Sequence, residues 1–404
     1  MQDVNFIVRE PILDPKQRVL GYELSWQKKH GAPEKSSDAE LEALVGFVAD
    51  QLNRDETGWL LGEKTLFLEA TPALLTTDAL HSLSAEHTVL TMSRHDLADP
   101  ETLEVVRALR AEGVGISLRV SELAKLDKNM LPDVTYVEVR FSGTDVIAQA
   151  KMYAALKQAS VRMVGRPVTT WQDYDACAAL GLDAFVGKLH LTPRPTNSAK
   201  GMNSAQATIL QLMDLVNKNE DIKKIEDVLK RDATLSYKLL RFINSAGFGL
   251  GREIQSLRQA LALLGYAPLY RWLSLLLATA SSSGYSPVLM ETAIVRGRLA
   301  ELLGERFLPK GSAENLFVAG MFSLLDRLLG MPMEEVLESI QLSEAVSQAL
   351  LTRGGVYGPF LALAEACELN SNLVGSLASS LHLSPVDVNV AHLSALAWAQ
   401  NIGM

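Results

Sequence analysis

The chain has 404 residues, 48% of them hydrophobic and 21% charged, with a formal net charge of −9. That length and composition suit two or three domains with ordinary cores. The acidic balance excludes the cationic footprint of a nucleic-acid binder, whose affinity comes from Lys and Arg neutralising phosphates. The basic pairs Lys223–Lys224 and Lys230–Arg231 read as solvated helix faces.

The opening MQDVNFIVRE carries charges where a secretion signal needs an apolar core. No run of about 18 residues is apolar throughout. The apolar run Leu269 to Ala280 is shorter than that, carries Arg271 and reads as a buried helix. The expectation is a cytoplasmic protein without membrane insertion. From the N-terminus onward, short β-branched or aromatic runs read as strands: Thr65 to Glu69, Thr88 to Met92, Gly115 to Val120, Thr135 to Val139, Val161 to Gly165 and Ala184 to Gly187. Helical patterns separate them, one of them expected to start at Thr71–Pro72. Strand–helix repetition predicts a parallel sheet covered by helices. Six or more such units in this length fit a barrel better than a doubly wound sheet, although periodicity alone does not decide it.

The texture changes at Pro193. Residues 192–198 read as a turn-rich linker, and strand signals then vanish. Ile209, Leu212, Met213 and Val216 form an amphipathic stripe, as do Leu235, Leu239, Leu240 and Ile243. Ser256 to Gln259 reads as a capping box, with Gly265 closing that helix and Ser384–Pro385 opening a late one. The domains expected are 1–195 and 196–404. Cys177 and Cys367 have no CxxC spacing and read as small buried hydrophobes.

Two stretches carry a family resemblance. Pro11–Ile12–Leu13–Asp14 followed by Gly21–Tyr22–Glu23–Leu24 resembles the start of an EAL domain, the cyclic di-GMP phosphodiesterase barrel. Leu235 to Gly265, above all Leu239 to Ala246 and Ser256 to Leu261, resembles an HDOD domain, a degenerate relative of HD phosphohydrolases. The likeness covers about residues 4–195 and 200–400. It implies an α/β then all-α chain, a modified (β/α) TIM-like barrel followed by a helical HDOD domain.

The resemblance also implies a two-metal site built from carboxylates and an Asn, and here the chain departs from it. Glu23 matches the Glu that names the family. The expected Asn is Glu69. A Glu-x-Thr-Glu element is replaced by Thr91–Met92–Ser93–Arg94, and paired aspartates by Leu118–Arg119–Val120. Lys-Ile-Asp becomes Glu138–Val139–Arg140, Glu-Gly-Val-Glu becomes Arg166–Pro167–Val168–Thr169, the late Gln becomes Val186, and a phosphate-binding Arg becomes Gln27. A guanidinium repels Mg²⁺, so Arg119 and Arg140 argue against a metal. They suit either an ion pair with Glu23, Glu69 or Glu138, or a nucleotide phosphate.

The second half lacks histidine between His190 and His382. Ser323–Leu324 stands where an HD enzyme has His-Asp, and Asp326 alone on an apolar helix holds no metal. His95–Asp96 reads as a helix cap, and His382 and His392 as surface or packing residues. Gly247 to Gly251 precedes no strand–helix phosphate cradle.

The expectation is a protein without catalytic residues, metal or cofactor, acting as a scaffold or adaptor for unknown signalling proteins, with a homodimer plausible. Proteins with this pairing imply a bacterial cyclic di-GMP network governing motility or biofilm. Glu23 is then a vestigial metal position. Arg241, Asn244, Ser245 and Phe248 are a candidate interaction surface. The alternative is a non-hydrolysing cyclic di-GMP receptor using Arg119, Arg140 and Arg166. A residual phosphodiesterase ranks last.

Overall fold

Eight strands close into a barrel in the order β1-β10-β9-β8-β7-β6-β5-β2. They are β1 (Ile7–Leu13), β2 (Val19–Trp26), β5 (Thr65–Glu69), β6 (Thr88–Ser93), β7 (Gly115–Val120), β8 (Tyr136–Arg140), β9 (Arg162–Arg166) and β10 (Ala184–Val186). A separate two-stranded ribbon joins β3 (Asn53–Arg54) to β4 (Gly58–Trp59). This computed structural model describes residues 5–27, 36–54, 58–120, 128–140, 153–154, 156–192, 204–244, 254, 256–279, 287–338, 340 and 342–401.

From β2 round to β10 each neighbouring pair is parallel, while β1 runs antiparallel to both β2 and β10. The sequence pattern missed β1 and β2, and burial shows why. The residues of β1 are covered on both faces, Glu10 alone being half-buried, so no hydrophobic alternation marks it, and Pro11 interrupts the run. Gly21 in β2 is obligatory. A Cβ there would lie 1.9 Å from the carbonyl oxygen of Thr65.

On the barrel's outside lie α1 (Asp38–Leu52), α2 (Asp78–His81), α3 (Arg94–Leu97), α4 (Pro100–Ala111) and α5 (Trp171–Ala179). Ser37 and Glu40 make a reciprocal capping box for α1. No α-helix starts at Thr71–Pro72. The Thr71 hydroxyl donates to Asp38 (2.6 Å), and a 3₁₀ turn at Leu74–Thr76 follows. Ser93 caps α3, with Asp96 reciprocating, and His95 is exposed. The helix cap expected of His95–Asp96 is therefore built from Ser93 and Asp96.

The remaining described chain is helical. It comprises α6 (Ser204–Asn217), α7 (Ile222–Leu229), α8 (Ala233–Ile243), α9 (Leu257–Leu264), α10 (Tyr266–Thr279), α11 (Pro287–Gly304), α12 (Lys310–Phe322), α13 (Leu325–Leu329), α14 (Met333–Glu338), α15 (Glu344–Thr352), α16 (Gly358–Leu369), α17 (Val374–Ser380) and α18 (Pro385–Asn401). The stripe on α6 is buried as its spacing predicts. Ser256 precedes α9 but makes no side-chain cap bond, so the predicted capping box does not form, whereas Gly265 ends that helix at φ 74°. Ser384 and Asp387 exchange bonds at the start of α18. Cys177 and Cys367 are buried free thiols, each pushed up to about 12 by burial. No single described helix is long and apolar enough to cross a membrane.

The helical part is seated directly on the barrel. Helix α16 lies over β1 and α18 over α1. Asn389 accepts from the Ile7 amide and donates to the Asn5 carbonyl, both at 2.8 Å. The Val288 amide donates to the Gln17 carbonyl at 3.1 Å. Glu291 on α11 accepts from the Tyr22 hydroxyl, from Lys64 (3.2 Å) and from Gln400 (2.9 Å). Burial, followed by the charge of Glu291, raises the Tyr22 phenol well above its ordinary value.

Candidate functional site

Period-two alternation decides which side chains enter the lumen. Ile12, Phe67, Val89, Tyr136, Val164, Ala184 and Val186 form a dry apolar layer there, separate from the core outside the strands. Phe67 and Tyr136 meet edge to face, with ring centroids 5.2 Å apart. Two residues on from Tyr136 and Val164, towards the C-terminal ends of β8 and β9, stand Glu138 and Arg166, and the lining turns charged.

Glu138, on β8, is the centre of that second layer and only 4% exposed. It accepts from Arg119 Nε on β7 (2.8 Å) and Arg166 Nη1 on β9 (3.0 Å). Thr91 (3.2 Å) and Ser117 (3.1 Å) donate hydroxyls to its other oxygen. Glu23, on β2, accepts from Arg119 Nη2 at 2.9 Å and from Arg166 Nη2. Glu10, opposite Glu23 in the antiparallel register, lies 3.4 Å from Arg166. Two guanidiniums, on β7 and β9, are thus shared among three carboxylates, one each on β1, β2 and β8.

Burial would raise the Glu138 carboxyl, but Arg166 and Arg119 outweigh it and hold it below the ordinary glutamate range. Burial likewise opposes the charge on Arg119 and Arg166, and the carboxylates beside them more than reverse it, raising both. These groups are ionised at neutral pH.

The donor set does not fit a divalent metal. Glu23 spends both oxygens on guanidiniums, Glu138 spends one on guanidiniums and the other on the Thr91 and Ser117 hydroxyls, and a further cation between two arginines meets repulsion where a metal needs free carboxylates. Among the described residues no group of three His, Cys, Asp or Glu is placed to hold a metal. Glu69 is half-buried at the end of β5, and none of the described ion pairs includes it. The side chain of Arg140 lies outside the described residues. Gln27 donates to the Ser371 carbonyl (2.8 Å) of the helical part, and Val186 belongs to the apolar layer.

A second charge cluster sits in the helical part, beside Ser323. Arg296 on α11 is 6% exposed and donates to both oxygens of Glu368 (3.0 and 2.8 Å), to Glu365 (3.1 Å) and to the Ser323 hydroxyl (2.7 Å). Arg353 shares Glu365. Burial opposes the charge of Arg296, but Glu368 and its neighbours raise its pKa above the ordinary value. Sequence reasoning missed Arg296. The stretch Ala293 to Gly304 carries three charges, Arg296, Arg298 and Glu301, and spacing alone does not single out Arg296.

The predicted interaction surface divides. Arg241 is exposed. The Asn244 side chain is committed to structure, donating to the Ile254 carbonyl (2.7 Å) and accepting from its amide (2.8 Å). Ser245 and Phe248 lie outside the described residues, as does the glycine-rich stretch 247–251. His382 is exposed. His392 is buried without a hydrogen-bond partner for either ring nitrogen among the described residues, and burial, helped by the charge of Arg9, lowers it to about 3.

Residues 202–347 match the HDOD domain family. Along nearly its whole length the chain is similar to an uncharacterized protein, YuxH, of Bacillus subtilis, with 24% identity over 98% of each. It is also similar to a cyclic di-GMP phosphodiesterase, CdgJ, of Vibrio cholerae, with 26% identity over 98% of this chain and 93% of the relative. Among solved structures, Klebsiella pneumoniae BlrP1 in a manganese and cyclic di-GMP complex overlaps 46% of this chain and 55% of its own, at 17% identity and TM-score 0.39. An EAL domain protein of Listeria monocytogenes overlaps 46% of this chain and 87% of its own, at 14% identity and TM-score 0.36.

Proposed function

We propose that this chain, which carries an HDOD domain over residues 202–347 behind a barrel resembling EAL domains, is a catalytically silent signalling protein of a cyclic di-GMP network that acts by binding partner proteins. One observation carries the reading. The carboxylates left in the lumen, Glu10, Glu23 and Glu138, neutralise Arg119 and Arg166. Phosphodiester cleavage by two metals needs those charges free to fix the cations and the attacking water. The relation to CdgJ supports the network, and the lumen chemistry supports the loss of turnover.

A barrel without turnover keeps its outer surfaces, and function then resides in whatever sites those surfaces carry. The test is incubation of the purified chain with cyclic di-GMP and Mn²⁺ or Mg²⁺. The expected result is no linear dinucleotide above the protein-free blank. Turnover that disappears in Glu23→Gln overturns the reading. Calorimetry with cyclic di-GMP alone separates the receptor alternative. Micromolar binding lost in Arg119→Ala replaces the adaptor reading with a receptor, whereas no heat at millimolar nucleotide retains it.

A further inference from the structure

We propose that the β1–β2 ribbon makes the lumen ion pairs and the seating of the helical domain interdependent, so that loosening either loosens the other. This goes beyond the functional reading and stands whether or not the lumen takes a nucleotide.

The ribbon is joined to the rest of the barrel by short ladders. On one side β1 meets β10 through only two residue pairs, Ile12 with Val186 and Leu13 with Phe185. On the other, β2 meets β5 through three, from Gly21–Thr65 to Glu23–Phe67. By contrast β6–β7 and β8–β9 each align five. No helix intervenes between β1 and β2; residues 14–18 turn directly, and the carbonyl of Gln17 in that turn accepts from Val288 at the start of α11.

Side-chain groups hold the seam from both faces. Inward, Glu10 and Glu23 bind Arg166, and Glu23 also binds Arg119. Outward, the very next positions face the helical domain. Tyr22 bonds Glu291, and Arg9, 6% exposed and 5.4 Å from the Tyr22 ring centroid, borders a small void with Thr292 and Glu368. Adjacent residues of one two-stranded ribbon therefore serve the two sites. A tilt of the ribbon that breaks Tyr22–Glu291 also withdraws Glu23 from the guanidiniums. On its other side, Glu368 is the partner of Arg296, which extends the same connection to the buried cluster of the helical domain. A partner protein that lifts the helical domain would unlock the lumen.

Hydrogen exchange on the full-length chain tests this. The double variant Tyr22→Phe, Glu291→Gln removes the Tyr22–Glu291 bond and the Lys64–Glu291 ion pair with little change in volume. Exchange is expected to quicken by about tenfold in β9 and β10 as well as in β1 and β2. By reciprocity, Arg166→Gln is expected to quicken amides of α11 and α16. Lys64→Gln, at the edge of the same contact, replaces the double variant if that does not fold. Arg107→Gln, which cuts a remote pair with Asp133, reports the effect of general destabilisation. Quickening confined to the substituted side, or the same pattern in Arg107→Gln, overturns the proposal.

Discussion

Arg166 shows how one residue decides the chemistry of a site. Removing it leaves Arg119 alone between Glu138 and Glu23 and takes the neighbouring guanidinium from Glu10. Arg166→Ala is expected to cost about 3 kcal/mol, the usual penalty for stranding a buried ionic partner, measured by urea unfolding. The pH dependence has a fixed sign. The Glu138 carboxyl is depressed in the fold, so its contribution is present above the ordinary glutamate pKa and is lost as pH falls through the lower folded value. His392 adds in the same direction for the opposite reason. It is buried neutral with its pKa lowered to about 3, so the unfolded chain takes up the proton first and stability declines once pH drops below about 6.5. At pH 5.5 that histidine alone costs about 1.4 kcal/mol. His392→Leu is expected to raise the unfolding midpoint more at pH 5.5 than at pH 7.5. An equal change at both would contradict the buried neutral state. The loss of acids and gain of Arg119 and Arg166 were visible in the sequence. That one Glu138 serves both arginines was not, because β7, β8 and β9 bring together residues 47 positions apart.

At the scale of elements, the short β-branched or aromatic runs set between helices were legible as strands, and the opening ribbon was missed. Parallel strands β5 to β10 stand out because helices separate them. The ribbon β1–β2 hides because the lumen covers one face and α16 the other. Caps followed similar logic. Ser384 is followed three residues later by Asp387, and the box forms, whereas Ser256 is followed by Gln259 and its hydroxyl makes no cap bond. Helices α11 and α12 cross where two glycines meet. A Cβ on Gly297 would lie 2.7 Å from the Phe317 carbonyl oxygen, and one on Gly320 would lie 2.7 Å from the Gly297 Cα. Backbone opposes backbone there, so a side chain has no route of escape. Gly320→Ala is expected to destabilise the chain by about 1–3 kcal/mol, as overpacked cores do, in denaturant titration. A neutral substitution would show that the helices can part freely.

The whole molecule is read best as two folds sharing one core. Buried residues of β1, β2, α1, α11, α16 and α18 belong to a single hydrophobic cluster. Each fold sets arginines among carboxylates, Arg119 and Arg166 in the barrel and Arg296 between the helices. In both, the carboxylates face a guanidinium. An arginine keeps its charge at any physiological pH and fixes planar, directional bonds, which suits a permanent structural counter-ion and not a site that exchanges ligands. The helix-rich texture beyond residue 204 was plain from spacing alone, yet the seating of that part on β1 and β2 was not, since the polar groups that bond across it, such as Glu291 and Asn389, stand singly in the sequence.

Equilibrium titration of the purified chain with Mn²⁺, following the free ion by electron paramagnetic resonance, tests the central claim most directly. The account predicts that no tight site appears in the lumen, and that Glu23→Gln leaves the titration unchanged. Two ions bound at micromolar concentration, and lost in Glu23→Gln, would contradict it.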